Sequence, residues 1–256
     1  MTESSNIVVE TIGLASGWGS SVLTRDVDLQ IERGEIFGIL GGSGSGKSTL
    51  MRNMIGLLRP LAGRVEILGE DPYSAGGEAR RRLLRRIGVM YQRGALFGSM
   101  TLLDNLLLPL EELTALDRHA RRGVARSKLA LVGLAKFESL RPDEISGGMR
   151  KRVALARAIV LDPPVVFLDE PSAGLDPITA AQIDRLILRL RDALRSTFVV
   201  VTHELASIFA IIDRAIVLSG ESPVPAAIGR PAELRDTCPH DYVRRFFRRD
   251  VAEATT

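Results

Sequence analysis

The sequence predicts an α/β fold organised on a largely parallel sheet, and three observations carry that prediction. Short apolar runs alternate with helical periodicity along most of the chain, a glycine-rich loop joins one such run to a helix, and no internal repeat or low-complexity tract breaks the pattern. With 256 residues, 45% of them apolar and 25% charged, the chain is long enough to bury a sizeable core as one large domain or two small ones. Sheets of this kind bind ligands at the carboxyl ends of their strands. The residues that follow each apolar run are therefore where chemistry is expected.

In chain order, Ile7 to Leu14, Val27 to Ile31 and Glu35 to Leu40 read as strands, since apolar and β-branched residues dominate and turn residues separate them. The third ends in Gly41-Gly42. Lys47 to Leu58 has helical periodicity and is closed by Arg59-Pro60, while Arg64 to Leu68 and Ile87 to Tyr91 return to strand. From Thr101 to Ala135 the chain is Leu- and Arg-rich with helical periodicity and no strand signal, which predicts a helical insertion into the α/β core. Ser146-Gly147-Gly148 precedes a helix expected to run through Leu161. A strand at Val165 to Leu168, a long helix from Pro177, a strand at Thr197 to Val201, a helix from Glu204 and a strand at Ala215 to Leu218 complete the alternation. Pro239 to Thr256 reads as a short basic helix with a frayed end.

Composition narrows the function classes. The longest apolar stretch, Gly94 to Leu110, is shorter than the ~20 residues a spanning helix needs and carries Asp104. The N-terminus, with Glu3 and Glu10 and no early Lys or Arg, lacks the plan of a secretory signal. Both readings place the protein in the cytoplasm. The single cysteine, Cys238, fits a reducing compartment, and the scattered His119, His203 and His240 offer no metal-ligand spacing. Formal net charge is only +3, although 30 of the 34 basic residues are Arg, bunched at Arg80 to Arg86, Arg118 to Arg126 and Arg244 to Arg249. Solvated helix faces account for most of these clusters, a surface facing anionic lipid or nucleic acid being the alternative, and no nucleic-acid partner is expected.

The strongest chemical signal is Gly41-Gly42-Ser43-Gly44-Ser45-Gly46-Lys47-Ser48, which matches the phosphate-loop spacing and has a strand before it and a helix after it. Its glycines let successive backbone N–H groups face one concavity. The helix N-terminus adds positive dipole, Lys47 neutralises β/γ-phosphate charge, and the Ser48 hydroxyl is placed to ligate Mg²⁺. A second motif, Val165-Val166-Phe167-Leu168-Asp169-Glu170, is an apolar strand ending in two acids. Beside a phosphate loop it reads as a Walker B motif: Asp169 holds Mg²⁺, and Glu170 is the general-base candidate that polarises water for attack on the γ-phosphate.

Between these motifs lies Ile145-Ser146-Gly147-Gly148-Met149, and here the chain resembles the ATP-binding cassette (ABC) ATPases, whose signature motif this run matches with Ile and Met at its ends. The resemblance covers nearly the whole chain in order. It implies a P-loop ABC cassette with a RecA-like core, an antiparallel β subdomain and an inserted α-helical subdomain. It also implies an ATP-binding domain over 1–236, with the helical subdomain at about 93–162, and a short basic C-terminal helix and tail over 237–256. It assigns Gln92 to the Q-loop, Asp176 to the D-loop, His203 to the catalytic switch histidine, and Trp18 to the aromatic residue that stacks on adenine. The ATP-binding set becomes Trp18, Gly41, Gly42, Ser43, Gly44, Ser45, Gly46, Lys47, Ser48, Thr49 and Gln92, with Mg²⁺ on Ser48, Gln92 and Asp169. Ser146, Gly147, Gly148 and Met149 would act in trans on the nucleotide of a second copy, so a homodimer is implied.

The segment Gln92-Arg93-Gly94-Ala95-Leu96-Phe97, with Asp104-Asn105 beyond it, is similar to ATPases of lipid-asymmetry (Mla) and mammalian-cell-entry (Mce) type. So are Ser-Gly-Gly-Met, Asp-Pro-Ile-Thr at Asp176 to Thr179, and Asp-Tyr-Val-Arg-Arg-Phe-Phe at Asp241 to Phe247. This implies phospholipid transport through a separate integral membrane permease. A Mce-type substrate-binding protein and a small regulatory subunit become expected partners, and the expected location is the cytoplasmic face of the inner membrane. Ile145 and the ordinary Ser172-Ala-Gly-Leu-Asp176 leave an ABC importer of other cargo as the alternative. A soluble ABC ATPase without a transport role is a third reading.

Overall fold

The computed structural model describes residues 6–74 and 76–248. In chain order the elements are β1 (Ile7–Trp18), β2 (Ser21–Glu32), β3 (Ile36–Gly41), α1 (Lys47–Met54), β4 (Ala62–Ile67), α2 (Gly77–Arg85), β5 (Ile87–Met90), α3 (Leu102–Leu113), α4 (Arg118–Leu131) and α5 (Gly147–Ala158). They continue with β6 (Val165–Asp169), α6 (Pro177–Leu194), β7 (Thr197–Thr202), α7 (Leu205–Ile211), β8 (Arg214–Leu218), β9 (Ala227–Gly229), α8 (Pro231–Asp236) and α9 (Asp241–Arg248). The chain folds as two compact units, Met1–Ala75 with Val199–Thr256, and Gly76–Phe198. The expected tail beyond 248 lies outside the described residues.

The first unit contains an antiparallel sheet of order β2-β1-β4. A tight turn at Gly19-Ser20 sets the β1–β2 register, in which Trp18 faces Ser21 and Ile7 faces Glu32. Along β2, Val27, Leu29 and Ile31 are buried while Asp28 and Gln30 are exposed, the period-two pattern of a sheet with one wet face. The same unit lays β7, β3, β8 and β9 side by side. All six residues of β3 are buried, and its pairing with β8 is parallel, from Phe37 opposite Arg214 to Gly41 opposite Leu218. Only glycine fits at Gly41: φ is +146°, and a Cβ there would lie 2.2 Å from the Leu218 carbonyl oxygen. The strand that feeds the phosphate loop is thus tied to its neighbour at the last residue before the loop.

The second unit holds the parallel pair β5–β6, in register from Ile87 opposite Val165 to Met90 opposite Leu168. All five residues of β6 are buried, as its unbroken apolar run predicts. Along α6 the buried Ile183, Leu186, Ile187 and Leu190 recur at helical spacing. A Cβ on Gly88 would come within 2.2 Å of the Ala158 carbonyl oxygen, so α5 closes directly onto β5.

Some boundaries depart from the sequence reading for local reasons. The first helix stops at Met54 rather than Leu58, because Gly56 adopts φ +74° and the Asn53 side chain donates to the Leu58 carbonyl. The signature helix stops at Ala158 rather than Leu161, with Asp162 in a left-handed conformation ion-paired to Lys128. The Leu- and Arg-rich insertion is two helices, separated where the Asp117 carboxylate accepts from the Ala120 N–H and caps α4. Helices α2 and α8 and the three-residue β9 are additional to the elements read from sequence.

Candidate functional site

The first unit carries the phosphate loop between β3 and α1. Gly46, the N-cap of α1, sits at φ +93° with no side-chain cap, and no acidic residue occupies the first turn. The cap residue therefore supplies no side-chain acceptor to the α1 N–H groups, and no acidic side chain of the first turn opposes the dipole. Lys47 is buried, and its ammonium donates to the carbonyls of Gly41 at 2.9 Å and Gly42 at 2.6 Å. The Ser45 hydroxyl donates back to Gly42 O at 2.9 Å. Ser43 and Gly44 are exposed, Ser48 is half-buried, and Thr49 is buried on the helix. The loop is thus a self-bonded turn, held by Lys47 and Ser45, that leads directly into a helix N-terminus, a setting suited to binding phosphate.

Two further expected residues lie in this unit. Trp18, at the tip of the β1–β2 hairpin, is 52% exposed, so its ring is a surface group rather than part of the core. His203 follows β7 and precedes α7, with half of its side chain exposed and Nε2 3.8 Å from Glu204.

The second unit carries the two acids and the signature. Asp169 ends β6 and Glu170 follows it, both buried, with Glu170 at φ +51°. A left-handed backbone at a non-glycine residue is costly and is held only by surrounding contacts. One such contact is Lys151 of α5, which sequence reading missed. Its ammonium donates to Glu170 O at 2.8 Å and to Gln92 O at 2.7 Å. It therefore ties the backbones of two expected site residues to the signature helix. Burial pulls the Lys151 pKa below the usual lysine value, against the attraction of Glu170 and Asp169.

Ser146 is the N-cap of α5, and its hydroxyl accepts from the Met149 N–H at 3.2 Å. Gly147 has room around it, but a Cβ on Gly148 would meet Thr179 Cγ2 at 2.6 Å, so only glycine lets α5 approach α6 here. Asp176 caps α6 by accepting from the Ile178 and Thr179 N–H groups at 3.1 and 3.0 Å. Hydrogen bonds from Thr179 hold its carboxyl below the usual carboxylate range.

Gln92 is exposed. The loop after it is pinned from two helices: Arg157 donates to the Gly94 and Ala95 carbonyls, each at 2.9 Å, and the fully buried Asn105 exchanges hydrogen bonds with Phe97 N–H at 2.9 Å and Phe97 O at 3.2 Å. Phe97 itself is 49% exposed. Arg157 was also missed from sequence, whereas Asn105 entered there only through the Asp104-Asn105 likeness, without its part in holding this loop. No local signal flags Arg157, because its carbonyl partners lie 62 and 63 residues away.

The donors expected to hold Mg²⁺ are a hydroxyl (Ser48), a carboxylate (Asp169) and an amide oxygen (Gln92), all hard oxygen ligands. This chemistry fits Mg²⁺, which is commonly bound by one or two protein groups together with substrate phosphates and water.

Among the described residues, no helix is long and apolar enough to cross a membrane. A family model described as ABC transporter matches residues 24–173. The probable ribonucleotide transport ATP-binding protein Mkl of Mycobacterium tuberculosis (strain ATCC 25618 / H37Rv) is 44% identical over 199 residues, covering 78% of this chain and 55% of its own length. The chain thus spans about half the length of that relative. The intermembrane phospholipid transport system ATP-binding protein MlaF of Haemophilus influenzae is 36% identical over 217 residues, covering 85% of this chain and 82% of its own length. Among solved structures, the dimeric post-hydrolysis state of the ATP-binding cassette MJ0796 bound to ADP and Pi superposes with a TM-score of 0.77 at 30% identity, covering 87% of this chain and 98% of that one.

Proposed function

This chain belongs to the ABC transporter family and is one of its ATPase cassettes, and we propose from that premise that it powers a phospholipid transport complex of Mla/Mce type as a homodimer on a separate membrane permease. The observation that carries the nucleotide chemistry is the uncapped N-terminus of α1 beneath a loop that buries Lys47. The likeness to MlaF supports the cargo reading, together with the exposed Phe97 on its pinned loop after Gln92.

In this reading Trp18 stacks on adenine, the loop N–H groups and Lys47 bind the β- and γ-phosphates, and Thr49 belongs to the same set. Ser48, Asp169 and Gln92 would hold Mg²⁺, which would neutralise phosphate charge. Glu170 orients water and takes its proton, and His203 is the switch histidine for the γ-phosphate. Ser146, Gly147, Gly148 and Met149 complete the site of the opposing copy, and Asp176 lies in the D-loop. The segment around Phe97 receives the permease. A Mce-type binding protein and a small regulatory subunit join through the complex, at the cytoplasmic face of the inner membrane.

The test is to co-express the chain with a candidate permease, reconstitute the complex in phospholipid vesicles, and measure ATP hydrolysis and lipid movement together. Lipid-dependent turnover is expected, and Glu170→Gln should lower it by about 10²–10⁴ while still binding ATP. Turnover that responds to a small solute and not to phospholipid would replace the lipid reading with an importer of other cargo.

A further inference from the structure

Helix α9 reaches the phosphate loop from far along the chain. The Gly42 N–H donates to the Tyr242 hydroxyl at 3.0 Å, across 200 residues of sequence. The rest of α9 is held firmly within the same unit. Val243 and Phe247, four residues apart, are buried, and Arg245 donates to Glu221 at 3.2 Å. The Phe247 ring lies 5.7 Å from that of Phe209, which belongs to α7, the helix that follows His203. Gly42 follows β3 and Glu221 follows β8, two paired parallel strands. One short helix therefore touches the segment after each strand and also the helix behind the expected switch histidine.

Gly42 opens the phosphate loop, and its carbonyl already accepts from Lys47 and Ser45. With its N–H held by Tyr242, both polar backbone groups of this residue are fixed before any nucleotide arrives. A loop ordered in advance loses less conformational freedom when it closes on phosphate.

We propose that Tyr242 is a positioning residue for the nucleotide site, its hydroxyl fixing the first turn of the phosphate loop from the C-terminal helix. The proposal rests on the ATP reading for its consequence but not for its geometry, and the test separates the two. Tyr242→Phe removes one oxygen and keeps the ring that stacks near Phe246. In the nucleotide-free chain, amide exchange at Gly42 should accelerate in this variant, while exchange across α9 stays as in the wild type. ATP affinity should weaken about two- to tenfold, the range of one neutral hydrogen bond, with kcat unchanged, because bound ATP restores the loop. Arg244→Ala, whose contacts are to Pro239 and Asp241 next to it, should change neither quantity.

Unchanged exchange at Gly42 overturns the anchoring. Faster exchange with unchanged ATP affinity overturns the positioning role, and so does an equal loss of affinity in Arg244→Ala. Absence of ATP binding in the wild type would instead overturn the proposed function, and Gly42 exchange would still decide whether the anchor exists.

Discussion

Two glycine-rich helix starts in this molecule have similar composition and opposite chemistry. At α1 the N-cap is Gly46, left-handed and without a side-chain cap, whereas at α5 it is Ser146, extended and bonded to the Met149 N–H. The first has no side chain at its N-cap to accept from its N-terminal donors. The second has already given one donor to its own hydroxyl, so an anion there must share or displace that bond. Composition alone does not distinguish them. Whether the cap residue has a side-chain acceptor does, and on the proposed function it would separate ground-state phosphate binding at α1 from conditional engagement at α5.

The comparison is broken most directly at α1. Lys47→Ala should weaken ATP binding by about tenfold or more, the worth of a charge-assisted hydrogen bond, and reduce turnover with it. Equilibrium titration with a fluorescent nucleotide checks this, and wild-type affinity would make the buried ammonium a loop staple rather than a phosphate ligand. At α5 the two quantities are expected to separate: Ser146→Arg should keep ATP affinity and lose turnover. Mixing it with Lys47→Ala sharpens the contrast. Statistical exchange makes half of the dimers mixed, each with one intact composite site, so roughly a quarter of the wild-type rate should return if each site works independently. No recovery after demonstrated subunit exchange would speak against action in trans.

The smallest effects concern the glycines. Gly148→Ala must push α5 from Thr179 and should cost about 1–3 kcal/mol in denaturant unfolding. Gly44→Ala meets open space at φ +79° and should cost only the backbone strain, about 1–2 kcal/mol. Reversal of that order would mean that the α5–α6 contact yields more easily than the phosphate loop.

Much of the fold was legible because its signals are local. The buried runs of β3 and β6 are continuous apolar stretches, and the phosphate loop is a single spacing of glycines and Lys47. Helix α2 was not legible as an element, because Leu83 is its one buried residue and its arginines read only as a solvated face. Lys151 and Tyr242 escaped for another reason. Lys151 reaches Gln92 across 59 residues and Tyr242 reaches Gly42 across 200, so their partners exist only after folding. Trp18 was visible as a candidate, but only the hairpin register places it at an exposed tip.

The loop that carries Phe97 has a mechanical consequence. Its backbone is tied to α5 through Arg157 and to α3 through Asn105, and Ala95 is locked at φ +49° between those ties. A load applied at the Phe97 ring therefore meets little slack. Displacement there would pass through Arg157 into α5, whose other end begins at Ser146. Such a segment would act as a stiff lever with little backlash, turning a push at an exposed aromatic into movement of a helix start eleven residues from Arg157 along the same rod.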